Sequence, residues 1–350
     1  MTDGRGRQPK TKQIRRVALS ALGFVVSGVA LYLVFRGSFN LQKLASYVSR
    51  IQWGYLFLSV ALFWGGVQII RSFLIEHLLE SVGKVRKTVA FRYICIGFLA
   101  NNVLPLRIGE AVRIAGIAKR SNISIVSVAG GLVLERIMDL TMAAVIGVIA
   151  IQLAPIPDNL RFGILASGAV LVVLLVVLAV VVRRGLKETD SLRYGRLVRF
   201  VWNIVARFVA GFGGLGSARK VVITIVLSAS LWAVATGTIL LRLMAFGLPP
   251  SLPLGLVLMA SISLGISIPS APSSIGVYHW LAAHALMIMG VENDLALGFA
   301  FFCHLVDFVS SSGIGVVCML LEGLGWSDLT SSAEQLRQEE TAGNISRSLG

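Results

Sequence analysis

Pro105-Leu106-Arg107-Ile108-Gly109 and Pro272-Ser273-Ser274-Ile275-Gly276 are two copies of one pattern (proline, two residues, isoleucine, glycine) set 167 positions apart. Each copy interrupts an apolar stretch, and matching residues flank both. Upstream, Ile69-Ile70-Arg71 has a counterpart in Leu240-Leu241-Arg242. Downstream, Arg136-Ile137-Met138-Asp139-Leu140 is echoed by His304-Leu305-Val306-Asp307-Phe308. The offsets of the three landmarks, 171, 167 and 168, differ by only a few loop residues, so the pattern predicts an internal repeat.

Composition places these stretches in a bilayer. Hydrophobic residues make up 56% of the 350 and charged residues 14%, and several runs exceed the ~18 apolar residues that mark a spanning helix. Six spans are expected: Val17 to Phe35, Trp53 to Ile75, Ile125 to Leu153, Phe162 to Val182, Val221 to Phe246 and Asp294 to Leu321. Two further runs, Val89 to Leu104 and Leu254 to Ile268, lead straight into the proline motifs. At ~1.5 Å per residue they are short for a crossing of ~30 Å. The expected fold is therefore an all-α polytopic membrane protein with about six full transmembrane helices and two re-entrant, broken-helix hairpins in an inverted repeat. A single transmembrane domain, 17–322, would hold repeat halves at about 53–182 and 221–322. Around it lie a basic N-terminus (1–16), an amphipathic basic segment (183–220) and a polar tail (323–350).

The net charge of +15 would point to nucleic acid in a soluble protein, yet its distribution argues otherwise. With the N-terminus inside, cytoplasmic segments hold 25 of the 32 Lys and Arg, external loops hold four, and Arg71, Arg136 and Arg242 lie within spans. This positive-inside bias predicts an inner-membrane protein with both termini cytoplasmic. The basic surface is then expected to meet anionic headgroups. Segment 183–220 mixes Arg193, Arg196, Arg199 and Arg207 with Leu197, Phe200, Trp202 and Phe208, the composition of a helix lying on the inner leaflet; contact with a partner protein is the alternative. The first span follows Lys10, Lys12, Arg15 and Arg16, but its apolar core is long and no small-residue cleavage site follows, so it is expected to remain a helix. Asn122-Ile123-Ser124 and Asn344-Ile345-Ser346 match a glycosylation pattern on the cytoplasmic side and are discounted. Cys95, Cys303 and Cys318 sit in apolar segments with no metal or redox spacing.

The orientation gives the repeat its content. The first motif is entered from the cytoplasmic side and the second from the external loop at Gly247-Leu248-Pro249-Pro250, so the copies point oppositely through the membrane, an arrangement used by transporters. Each proline ends one half-helix and each glycine permits close approach or unusual dihedrals where another begins. Ser270, Ser273 and Ser274 are expected caps in the second copy, and Asn101 and Asn102 supply amides in the first. Free backbone N–H groups at a positive dipole end favour an anion, reinforced by Arg107 and Arg113. The competing reading is that both motifs are kinks that let helices pack.

Ionisable residues within the spans add to the candidate site. Glu135, Arg136 and Asp139 sit where a charge costs ~2.5–3.5 kcal/mol on insertion scales and so demand partners or water. Arg136 and Asp139 are three apart, as are His304 and Asp307, which predicts pairing or substrate contact on one helical face. Arg71 and Arg242, each near the end of an apolar run, are expected either to snorkel to the interface or to touch a lipid phosphate. His279 and His284 are five apart and form no metal motif. The candidate headgroup site thus comprises Asn101, Asn102, Pro105, Arg107, Gly109, Glu110, Arg113, Glu135, Arg136, Asp139, Pro272, Ser273, Ser274, Gly276, His304 and Asp307. No metal, cofactor or nucleic-acid partner is expected.

Asn101-Asn102-Val103-Leu104-Pro105-Leu106-Arg107-Ile108-Gly109-Glu110, Glu135-Arg136-Ile137-Met138-Asp139-Leu140 and Pro269-Ser270-Ala271-Pro272-Ser273-Ser274-Ile275-Gly276-Val277 together resemble the signatures of the lysylphosphatidylglycerol synthase transmembrane-region family of flippase-like membrane proteins. The resemblance covers about residues 15 to 322. It implies the movement or handling of lipids such as aminoacylated phosphatidylglycerol, polyprenyl-phosphate sugars or hopanoid-associated lipids, with lipid-synthesis enzymes as candidate partners. The second motif departs from the family's frequent Pro-Gly-Gly-x-Gly, because Ser273 and Ser274 fill the two glycine places. Bifunctional members carry a catalytic domain after the membrane part; with 28 residues after Glu322, no aminoacyl-transferase activity is expected. No phosphate-binding loop of the Gly-x-x-x-x-Gly-Lys-Ser/Thr type occurs, so transport would be downhill or coupled to protons or ions through Glu110, Glu135, Asp139 or Asp307. A non-enzymatic flippase or lipid-handling protein is the leading expectation. The alternatives are an intramembrane enzyme with Glu110 or Glu135 as general base, and a scaffold for lipid or lipid-linked glycan biosynthesis.

Overall fold

The computed structural model describes residues 51–104, 108–154, 217–266 and 272–326, with single positions between 25 and 50, between 158 and 169, and at 329. Among these residues every regular element is a helix. Helix α1 (Trp53–Leu62) continues through a π turn (Phe63–Val67) into α2 (Gln68–Leu79). The short helices α3 (Lys87–Val103) and α4 (Gly109–Ser121) form a hairpin, and the long α5 (Ile125–Leu153) follows. A second series consists of α6 (Ala218–Ala245), α7 (Leu252–Ile266), a 3-10 turn (Pro272–Ser274), α8 (Val277–Ile288) and α9 (Asn293–Leu321). Lengths run 27, 17, 13 and 29 residues in the first series and 28, 15, 12 and 29 in the second.

Three helices, Trp53–Leu79, Ala218–Ala245 and Asn293–Leu321, are long and apolar enough to cross a membrane, and at ~1.5 Å rise each exceeds a ~30 Å hydrocarbon core. Helix α5 matches them in length but carries Glu135, Arg136 and Asp139. Helices α3, α4, α7 and α8 fall short of that core, as the sequence predicts for the segments flanking the motifs. The expected spans Val17 to Phe35 and Phe162 to Val182, the amphipathic segment to residue 216 and most of the tail lie outside the described residues.

Hydrogen bonds fix which helix ends share a face. At one face Lys220 Nζ lies 3.3 Å from Glu80, and Glu322, which caps α9, accepts from Arg92 of α3 at 2.9 Å and Arg120 of α4 at 2.5 Å. At the other, Gln52 N donates to Ala245 O at 2.8 Å, and the Tyr47 hydroxyl donates to Glu292 at 2.6 Å. The α3–α4 hairpin therefore opens at the first face and the α7–α8 hairpin at the second. The hairpins also cross-pack: α3 lies against α9 and α7 against α5, so the first helix of each hairpin rests on the last long helix of the other series.

Local chemistry explains both breaks. Leu104 is extended (φ −98, ψ 141), the conformation imposed on a residue preceding proline. Gly109 starts α4 with its N–H donating to the Asn101 Oδ1 at 2.8 Å, and its lack of a side chain lets its backbone meet that of Gly97. In the second break Ser273 and Ser274 adopt φ of 56 and 58 and Gly276 φ of 89. Those serines do not cap α8 as expected. The N-cap is Gly276, whose N–H donates to His279 Nδ1 at 3.2 Å, because the left-handed turn carries the two serines away from the helix start.

Burial acts to raise the Glu322 carboxyl, but the hydrogen bonds from Arg92 and Arg120 outweigh it and hold the group below its usual range. A carboxylate lowered in the folded state stabilises above its unfolded value, about 4.3, and that contribution is lost as pH falls through the folded value. Melting curves of wild type and Glu322→Gln in detergent, taken from pH 7 to pH 3, should show a wild-type advantage at neutral pH that shrinks toward zero below about pH 4.

Candidate functional site

The candidate residues separate into two groups. In the first series Arg71 of α2 reaches α5, where its Nη1 donates to Glu135 at 2.5 Å and to Asp139 at 2.8 Å. Glu135, 1% exposed, also accepts from Arg113 of α4. Arg136 pairs with Glu110 and lies 3.7 Å from Asp139, while the Trp232 indole N–H from α6 donates to Asp139 at 3.2 Å. Three arginines thus meet three carboxylates, and the cluster is electrically balanced. Such balance is what burial of charge demands. Arg136 and Glu110 are its exposed members, at 54% and 36%.

The second series holds a smaller relative. Arg242 of α6 grips Asp307 of α9 with both terminal nitrogens, at 2.8 and 2.5 Å, and its Nε lies 3.5 Å from the Ser59 hydroxyl of α1. Asp139 and Asp307 occupy the same place, each the fifteenth residue of a 29-residue helix. Arg71 and Arg242 therefore do not snorkel. Arg242 is 5% and Arg71 14% exposed, and each ties the first long helix of its series to the last. Arg136 and Asp139, expected as a pair, are only loosely associated, because Arg71 takes the Asp139 carboxylate. No local spacing signals this, since the partners lie 65 to 68 residues apart.

A cavity of about 280 Å³ opens beside the Arg242–Asp307 pair. The tip of one hairpin contributes Asn102, the turn of the other Ser273 and Ser274, and α9 contributes His304 and Asp307; Tyr278 and the aromatic rings of Phe63 and Phe98 complete the wall. The end of α3, just before the first proline motif, and the turn of the second motif therefore meet at one chamber. Asn102 donates to the hydroxyls of Ser311 at 2.7 Å and Ser312 at 3.0 Å, fixing the α3 tip to α9. Phe63 projects from the π turn, an element that often marks functional sites.

Of the predicted site, Asn102, Ser273, Ser274, His304 and Asp307 line the chamber, and Glu110, Arg113, Glu135, Arg136 and Asp139 form the charge cluster of the first series. Asn101, Gly109, Pro272 and Gly276 shape the breaks, while Pro105 and Arg107 lie outside the described residues. Sequence reasoning missed Tyr278 as a wall residue and His279 as a partner of His304, whose Nδ1 is 3.3 Å from His279 Nε2. Among the described residues no group of three or more His, Cys, Asp or Glu could hold a metal ion. Cys95, Cys303 and Cys318 are buried free thiols.

A family model described as the lysylphosphatidylglycerol synthase TM region matches residues 20–315. The chain belongs to that family. This membership, with the apolar helices described above, makes it a membrane protein with a lipid-related role. Comparison with curated proteins and with solved structures finds no match. In this family member the matched region contains both proline motifs, both Arg–carboxylate pairs and the chamber.

Removing one partner of a buried pair strands the other, at a cost of ~3–5 kcal/mol, whereas replacing both with apolar residues is far milder. Arg242→Met should therefore lower the unfolding free energy in detergent by about that amount, and Arg242→Met/Asp307→Leu should recover most of the loss. Additive losses in the double variant would mean that the pair carries no coupling.

Proposed function

We propose that this chain is a lipid flippase or lipid-handling protein of an inner membrane, acting as a transporter and not as an enzyme. The observation that carries the reading is the convergence of both hairpin tips, entered from opposite faces, on one chamber lined by the Arg242–Asp307 pair, Asn102, Ser273 and Ser274 among apolar residues. An inverted repeat accounts for that convergence: the matched helix lengths, the reciprocal cross-packing and the equivalent Arg71–Asp139 and Arg242–Asp307 pairs all support it. Repeats that enter from opposite sides allow access to alternate by rocking one hairpin against the other about a fixed site.

In this reading a phosphate-bearing headgroup leaves the interface, passes the exposed Arg136–Glu110 pair and enters between the hairpins, while its acyl or prenyl chains stay in the bilayer. A half-exposed arginine at the twelfth residue of a 29-residue helix is costly in hydrocarbon, which favours water or headgroups beside it. Within the chamber the Asn102, Ser273 and Ser274 side chains supply polar contacts, and Phe63 and Phe98 exclude solvent laterally. Both Glu135 oxygens are engaged by arginines, which disfavours the alternative role as a general base. Both termini would face the cytoplasm, where basic residues concentrate.

Liposomes reconstituted with the purified chain and a fluorescent phospholipid test the reading. Arg136→Ala and Pro272→Ala should each slow dithionite-accessible translocation about tenfold, a barrier change of ~1.4 kcal/mol. Rates equal to protein-free liposomes for the folded wild type would dismiss the transporter assignment.

A further inference from the structure

The carboxylates that would ordinarily couple transport to protons are already engaged, Glu110 by Arg136, Glu135 by Arg71 and Arg113, Asp139 by Arg71 and Asp307 by Arg242. Two buried imidazoles, His304 at the chamber wall and His279 against it, are in a different position. Gly276 N–H is an obligate donor, so the His279 Nδ1 that receives it at 3.2 Å must be unprotonated. A neutral His279 then carries its hydrogen on Nε2 and donates to His304 Nδ1 at 3.3 Å. His304 in turn carries its hydrogen on Nε2, which donates to the Ser273 carbonyl oxygen at 2.8 Å. Obligate donor at one end and obligate acceptor at the other leave a single consistent arrangement, with both rings neutral.

This relay joins the two ends of one strained turn. Ser273 and Ser274 hold φ of 56 and 58, a conformation disfavoured for residues with a side chain, and Gly276 closes the turn at φ 89. The bond from His304 to Ser273 O and the bond from Gly276 N–H to His279 clamp that turn against α8 and α9. A proton on His304 would set its Nδ1–H against the Nε2–H of His279; a proton on His279 would set its Nδ1–H against the Gly276 N–H. Either event replaces a hydrogen bond with two opposed donors. The groups facing the pair are few: Tyr278 stacked on His304 at 4.7 Å, the Ser273 hydroxyl 3.3 Å from His304 Nε2, Phe301 beside His279 at 5.9 Å, Asp307 one turn along α9 with Arg242 bound to it, and the buried Cys303 on α9.

We infer that His279 and His304 form a proton-binding site that latches the second hairpin's turn when neutral and releases it when one imidazole takes a proton. Because Ser273, Ser274, Tyr278 and His304 line the chamber, release of the turn changes the chamber wall itself. The proton comes from water entering the chamber and returns there, so one proton bound and released accompanies each opening. Coupling of this motion to lipid passage rests on the transporter reading; the latch itself does not.

Hydrogen exchange of the amides between Ser274 and Trp280, corrected for the intrinsic pH dependence of exchange, tests the latch on the full chain in detergent or nanodiscs. Wild-type protection should fall about tenfold or more between pH 7.5 and pH 5, across the range where imidazole titrates. His304→Gln, whose amide can still donate to the Ser273 carbonyl without titrating, should weaken that dependence, and His279→Asn/His304→Gln, which removes both titrating rings, should flatten it. Translocation of fluorescent lipid is measured over the same pH range. Protection that changes with pH while no lipid moves at any pH upholds the latch and removes the transporter reading. Wild-type protection that stays constant from pH 7.5 to pH 5 overturns the latch, whatever the lipid does.

Discussion

Burying an arginine in apolar surroundings is tolerable only when a carboxylate meets it with good geometry, and this chain makes that bargain twice at equivalent places. Arg71 draws α2 onto α5 through Glu135 and Asp139, and Arg242 draws α6 onto α9 through Asp307. Each pair joins the first and last long helices of its series, which leaves the short hairpin between them free to reach inward. Were either arginine to swing to the interface, a carboxylate would be abandoned halfway along a 29-residue helix. The frame, the hairpins and the chamber all presuppose those contacts.

The two series nevertheless do different things with one plan. The first adds Glu135, Arg113, Glu110 and Arg136 to its Arg71–Asp139 pair and so builds a balanced six-member network reaching an exposed edge. The second keeps a bare pair and places a cavity, two imidazoles and a strained serine turn beside it. The charge network runs from a buried core to an exposed edge, whereas shape and hydrogen-bond direction are concentrated where the protein encloses space. Two series with the same order of long and short helices thus carry different chemistry.

Much of this was legible in the residues themselves. Proline after Leu104, the glycines closing each motif and the shortness of the flanking apolar runs announced the breaks, because those constraints are local to the backbone. The recurrence of Asp139 and Asp307 was visible too, but their partners were not: Arg136 is the nearest basic residue in sequence, and only three-dimensional packing lets Arg71 displace it. The same limit hid the meeting of His279 and His304, which come from different helices. Capping by serine failed for a related reason. Propensity favours serine at a helix start, whereas here the left-handed turn hands that position to Gly276 and leaves an imidazole to receive its N–H.

Cross-packing of the short helices has a bearing on how the molecule is made. Helix α3 leaves the ribosome early, yet it rests against α9, whose last residue is Leu321, on the order of 200 residues later. At about 5–20 residues per second the wait is roughly ten to forty seconds. Throughout that interval a half-length segment, its polar tip at Asn102 lacking the Ser311 and Ser312 hydroxyls of α9, stands without its lasting neighbour. The lasting position of α3 is therefore set only once α9 has been made.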